Sequence, residues 1–75
     1  MSYRRTSATT LTRIKRTCRH LGITQREIAA EAATTSKRGH VGRSLVAHVF
    51  AGRALSRNVV EAARRCIHRA RTERA

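Results

Sequence analysis

Short helical periods, each with a start or stop signal at its ends, constrain this chain most. Apolar residues recur at three- and four-residue steps, and no run alternates as a half-buried strand would. Leu11, Ile14, Cys18 and Leu21 set a first helix over 10–21, and Gly22 follows where a left-handed residue ends a helix. Thr24-Gln25-Arg26-Glu27 then spells a capping box, with Ile23 before it placed to staple onto Ile28. These signals start a second helix at Gln25 and carry it to Ala33, with Ile28, Ala29 and Ala32 as a small inner face. Leu55 and Ser56 repeat the device, with Val60 as the stapling partner, and open a last helix from Arg57 to about Arg71. Between them the stretch from Val41 to Gly52 reads as a further short helix, closed by Gly52. Proline is absent and glycine scarce, so little obstructs helices. The expected fold is all-α, a small bundle of four to five helices in one domain over 10–71. A basic arm over 1–9 precedes it and a fraying tail over 72–75 follows.

Charge narrows the partners. Seventeen Lys and Arg stand against four acids in 75 residues, a formal charge of +13. Such a field opposes folding and attracts polyanions. Fifteen of the bases are Arg, which forks onto phosphate or guanine with two hydrogen bonds. One Tyr, one Phe and no Trp leave little on which to stack unpaired bases, which argues against single-strand binding and favours duplex DNA. A cationic amphipathic membrane helix is the competing reading of any Arg-rich chain. Several capped short helices argue against it, and no apolar run is long enough to span a bilayer. Two cysteines without a signal peptide point to reduced thiols and a cytoplasmic, nucleoid-associated protein.

The helix within Val41–Gly52 carries the functional expectation. Val46, Val49 and Phe50 share one face and point inward; Arg43, Ser44, Ala47 and His48 fall on the other. That outward set is small, polar and basic, and suits the major groove, where Arg reads guanine and small side chains permit close approach. Gln25 and Arg26, at a helix start, suit a phosphate. The stretch from Ala33 to His40 is polar and turn-forming, and reads either as a solvated connector or as a basic loop whose Lys37 and Arg38 grip the DNA backbone. The arm is either a disordered tail or a strand whose Arg4 and Arg5 enter the minor groove. The apolar stripe of the last helix is broader than one contact needs. Either all of it packs within the chain, or part of it, through Val59, Ala63, Cys66 and Ala70, meets a second copy.

From Gln25 to Ile67 the chain resembles the Cro and lambda-repressor type of helix-turn-helix. T-Q-R-E-I-A-A-E-A matches the first helix of that motif, and V-G-R-S-L-V-A-H-V-F-A-G-R the second, with Ser56 and V-V-E-A-A beyond. The departure is the turn, where Ala33 through Gly39 stand as an insertion in place of a short glycine-bearing link. The resemblance implies base-edge contacts from Arg43, Ser44, Ala47 and His48, phosphate contacts from Gln25 and Arg53, and a small bacterial or phage repressor that binds DNA as a homodimer.

Other chemistry fares worse. Cys18-Arg19-His20 and Cys66-Ile67-His68 offer zinc-type side chains, but residues two apart on a helix point roughly 200° apart, so one metal cannot take both. The cysteines read instead as small buried apolar residues. Glu27 is committed to a cap, while Glu31 and Glu61 read as surface acids. No nucleophile–base pair or phosphate loop appears, so no enzyme, metal, cofactor or small-molecule ligand is expected. The rival readings are a non-specific architectural DNA-binding protein and an antitoxin-like module whose last helix docks on a protein.

Overall fold

The computed structural model of the chain describes residues 8–74, apart from the side chains of Ala8 and Arg74. Four helices follow one another: α1 (Ala8–His20), α2 (Gln25–Ala33), α3 (Arg43–Phe50) and α4 (Arg57–Arg74). No strand occurs among the described residues. The capping box at Thr24 is present: the Glu27 N–H donates to Thr24 Oγ1 at 3.1 Å, and the Thr24 N–H to Glu27 Oε2 at 3.4 Å. Gly22 and Gly52 both take positive φ, at 75° and 78°. Each lets the following residue reach back five positions, Ile23 N–H to Cys18 O and Arg53 N–H to His48 O, both at 2.8 Å. These bonds satisfy last-turn carbonyls that would otherwise be orphaned.

α4 is the spine. It packs chiefly on α2 and also on α1 and α3, whereas α1 and α2 do not pack on each other. The core collects Leu11, Ile14 and Cys18 from α1, Ile28, Ala29 and Ala32 from α2, and Val46 and Val49 from α3. Val59, Val60, Ala62, Ala63, Cys66 and Ile67 of α4 face them. Alanines on both sides of the α2–α4 contact let the two backbones approach closely. A radius of gyration of 11.8 Å matches the ~11 Å expected for a globule of this length, so α4 does not stand off as a free arm.

Several expectations change. Val59 and Ala63 are fully buried and Cys66 nearly so, all within one chain. The stripe on α4 is broad because three helices share it, and Val59 and Ala63 are not available to a second copy; Cys66 shows only an edge in the groove beside the half-exposed Ala70. α1 starts at Ala8, inside the segment read as an arm; Arg4 and Arg5 lie outside the described residues. α4 runs on through the segment expected to fray, and its Thr72 hydroxyl donates to His68 O at 2.9 Å. Val41 and Gly42 precede α3 rather than belonging to it, Gly42 being its extended N-cap. Ser56 caps α4 as expected, its Oγ accepting from the Val59 N–H at 3.2 Å. Leu55, read as a staple, is instead 59% exposed.

Candidate functional site

α3 is about 12 Å long, too short to persist as an isolated helix, so burial must hold it. Val46 and Val49 supply that burial, and Phe50 is half-buried beside them. With this face inward, the geometry of a helix turns Arg43, Ser44 and His48 to solvent, and all three are exposed; Ala47 is half-buried. Ser44 lies at the centre of the outward arc. Leu45, at its edge, is an exposed apolar residue that sequence reasoning passed over. Its signal was its register, one residue before the buried Val46, which puts it beside the polar face rather than under it.

The first turn of α2 completes the site. Thr24, Gln25 and Arg26 face Arg43, Ser44 and Ala47 across one shallow, open depression. The structure thus gathers five of the singled-out residues and leaves His48 on the adjoining turn of α3. No acid lines the depression. Arg53 is exposed just beyond Gly52. Lys37 and Arg38 are exposed too, but Lys37 borders a separate concavity with Arg57, Asn58 and Glu61 at the start of α4. Lys37 therefore lies toward α4, and neither it nor Arg38 lines the depression.

The connection over 34–42 is tied down. The Thr34 hydroxyl donates to Glu31 O at 2.7 Å, and the Gly39 N–H to Ser36 O at 3.1 Å. Asn58 on α4 donates to Ala32 O at 2.8 Å and accepts from the Thr35 hydroxyl. Next to it, Glu31 receives Arg65 Nε at 2.9 Å and an Arg69 guanidinium nitrogen at 3.0 Å. Those two hydrogen bonds, Arg65 first, hold the Glu31 carboxyl below its ordinary pKa against the opposing effect of desolvation. Glu31 is thus a fastener between α2 and α4 rather than a plain surface acid, and Asn58 was not foreseen as a partner. Both pairings span sequence separations beyond the reach of any local pattern.

Among the described residues both ion pairs fall on Glu31, so Arg26, Lys37, Arg38, Arg43 and Arg53 have no carboxylate partner. Cys18 and Cys66 are buried free thiols, while His20 and His68 are exposed, so the members of each Cys-x-His pair face different surroundings. Burial, with a lesser contribution from Cys66, pushes the Cys18 thiol up to about 11. Among the described residues no three His, Cys, Asp or Glu gather closely enough for a metal ion. Nor is any described helix long and apolar enough to cross a membrane. No family model matches the chain, and neither a curated protein nor a solved structure shows significant similarity to it.

Proposed function

We propose that the chain is a sequence-specific duplex-DNA-binding regulator of helix-turn-helix type, with α2 and α3 as the motif and α3 as the reader. The observation that carries the reading is the depression between the first turn of α2 and the outward face of α3. It holds Gln25, Arg26, Arg43, Ser44 and Ala47, free of acids and with its bases unpaired. Small residues flanked by Arg are what close approach to base edges requires. In this arrangement Arg43 forks onto a guanine, Ser44 and His48 meet neighbouring edges, and Ala47 and Leu45 offer apolar contact to thymine methyls. Gln25, Arg26 and Arg53 hold flanking phosphates, and Lys37 and Arg38 follow the backbone further out. The resemblance to Cro and lambda-repressor proteins extends the reading to a repressor that occludes a promoter. Two copies would then sit on half-sites about one helical turn apart. Val59 and Ala63 being spent on the core, the dimer contact falls to the groove beside Ala70, which Cys66, Leu21 and Ile23 also line.

Selection from random duplexes, followed by competition against random DNA at physiological salt, tests this. A preference of at least ~10³-fold is expected. Arg43→Ala should relax the selected sequence at one base pair, a loss of about 1–3 kcal/mol of discrimination. An unchanged preferred sequence in that variant would remove Arg43 as the reader. Wild-type binding that does not distinguish sequences at all would favour the architectural reading.

A further inference from the structure

We propose that α1 carries a second DNA-binding surface, which takes the phosphate backbone of a separate duplex while α3 occupies the first. This rests on the reading of α3 as a duplex reader. α1 buries Leu11, Ile14 and Cys18 and turns everything opposite to solvent. That outward arc holds Arg13, Lys15, Arg16, Arg19 and His20, all exposed, with Arg16 near its middle. The helix contains no acid. Both ion pairs among the described residues lie elsewhere, on Glu31. Of the remaining acids, Glu27 is drawn into the α2 cap, and Glu61 and Glu73 sit on α4.

Arg16 therefore has like charges three residues away on either side, at Arg13 and Arg19, a spacing that weakens a helix when nothing neutralises it. A sequence keeps such a conflict between local and global stability where the surface is used. The partner that resolves it is a row of phosphates. The carboxylates of a protein partner would serve the charge as well, but a row of Arg with neighbouring Thr9 and Thr12 exposed, and no apolar centre, lacks the desolvated anchor of a protein interface.

The surface is separate from the α3 site. No residue of α1 lines the depression; α1 packs on α3 and α4 with the face that buries Leu11, Ile14 and Cys18, so its basic arc lies on the side away from both. A duplex seated on α3 and α2 leaves the α1 arc free for another segment of DNA. One molecule would then join two segments, and its avidity on a chain carrying both would exceed that of either contact alone.

The test uses the full-length protein on a bead-held duplex carrying the selected site, and measures retention of a second, labelled random duplex. The variant Arg13→Gln/Arg16→Gln/Arg19→Gln is compared with the wild type and with Arg43→Ala. Gln keeps helix propensity and removes repulsion, so the triple variant should melt no lower than the wild type. The expected result is loss of labelled-duplex retention by at least ~10-fold in the triple variant. Its affinity and preference for the bead-held site should stay within about 3-fold, and the salt slope of retention should fall by ~0.9 per lost phosphate contact. Arg43→Ala should relax the preference for the bead-held site at one base pair and keep retention. Three results overturn the inference: no retention by the wild type; retention unchanged in the triple variant, as two reading heads of a dimer would give; or parallel loss of both contacts, which would put α1 on the same duplex. Failure of the α3 reading looks different, as retention without any preference for the selected site.

Discussion

Val46→Ala tests whether α3 is held as the function requires. Val46 is fully inaccessible and Val49 nearly so. The substitution removes two carbons, worth about 1.6 kcal/mol of transfer free energy at ~0.8 kcal/mol per methylene. The void left behind adds to this, because the surrounding core closes only in part, and the total comes to about 2–3 kcal/mol. A chain of this length has a stability of about 4–11 kcal/mol, so the loss is a large fraction of it. The melting temperature should fall by roughly 10–20 °C, at about 4–8 °C per kcal/mol for a domain of this size. Circular dichroism at increasing temperature or urea reads it. Ser44→Ala and His48→Ala, on the exposed side of the same helix, should stay within about 0.5 kcal/mol of wild type. The reasoning fails if Val46→Ala costs no more than these controls, or if His48→Ala matches it, since α3 would then present a different face.

Three further outcomes follow from the same geometry. Lys37→Ala and Arg38→Ala should weaken DNA binding evenly across sequences and lower the salt slope by ~0.9 each, read by titration at several ionic strengths; a change in preferred sequence would contradict a backbone role. Glu31 has its carboxyl pKa depressed below 4.5 by Arg65 and Arg69, so its contribution is present above that value and is lost as pH falls through the folded-state pKa. Glu31→Gln should therefore cost about 1 kcal/mol at neutral pH, discounted for the partly exposed Arg partners, and the difference should close in acid denaturation curves as the pH falls through the depressed folded-state pKa. Cys18 keeps its proton to about pH 11 in the folded chain but ionises near 9 when unfolded, so stability should decline between those values. Subtracting the urea stability of Cys18→Ala at each pH isolates that decline, and a flat difference would place the thiol in water.

Elements marked by local chemistry could be read directly from the residues. Thr24 and Glu27 fix the start of α2 through bonds within four residues, and Gly22 and Gly52 stop α1 and α3 through their own backbone freedom. The two faces of α3 follow from period alone. The shortfalls arise where a distant partner decides. The stripe on α4 has the same pattern whether three helices of one chain or a second chain cover it, and only packing shows that Val59 and Ala63 are consumed internally. Glu31 and Asn58 appear unremarkable in their own helices and acquire roles from residues 23 to 38 positions away. Gly42 and Val41 were drawn into α3 because the apolar spacing runs through them, although an N-cap must be extended. The separation of Lys37 from Arg43 is likewise set by the path of the loop, which spacing does not encode.

Asn58 fastens the exit of α2 to the entry of α4, and Gly52 turns the chain back toward the same entry. The strap from Ser36 to Gly42 is thus anchored where it leaves α2, while α3 is held by the burial of Val46 and Val49 rather than by the strap's length. Residues could be added, removed or recharged there with the neighbouring helices left in register. If α3 reads DNA as proposed, this segment is for that reason the one most open to exchange, a cassette through which grip could be retuned without redesigning the reader.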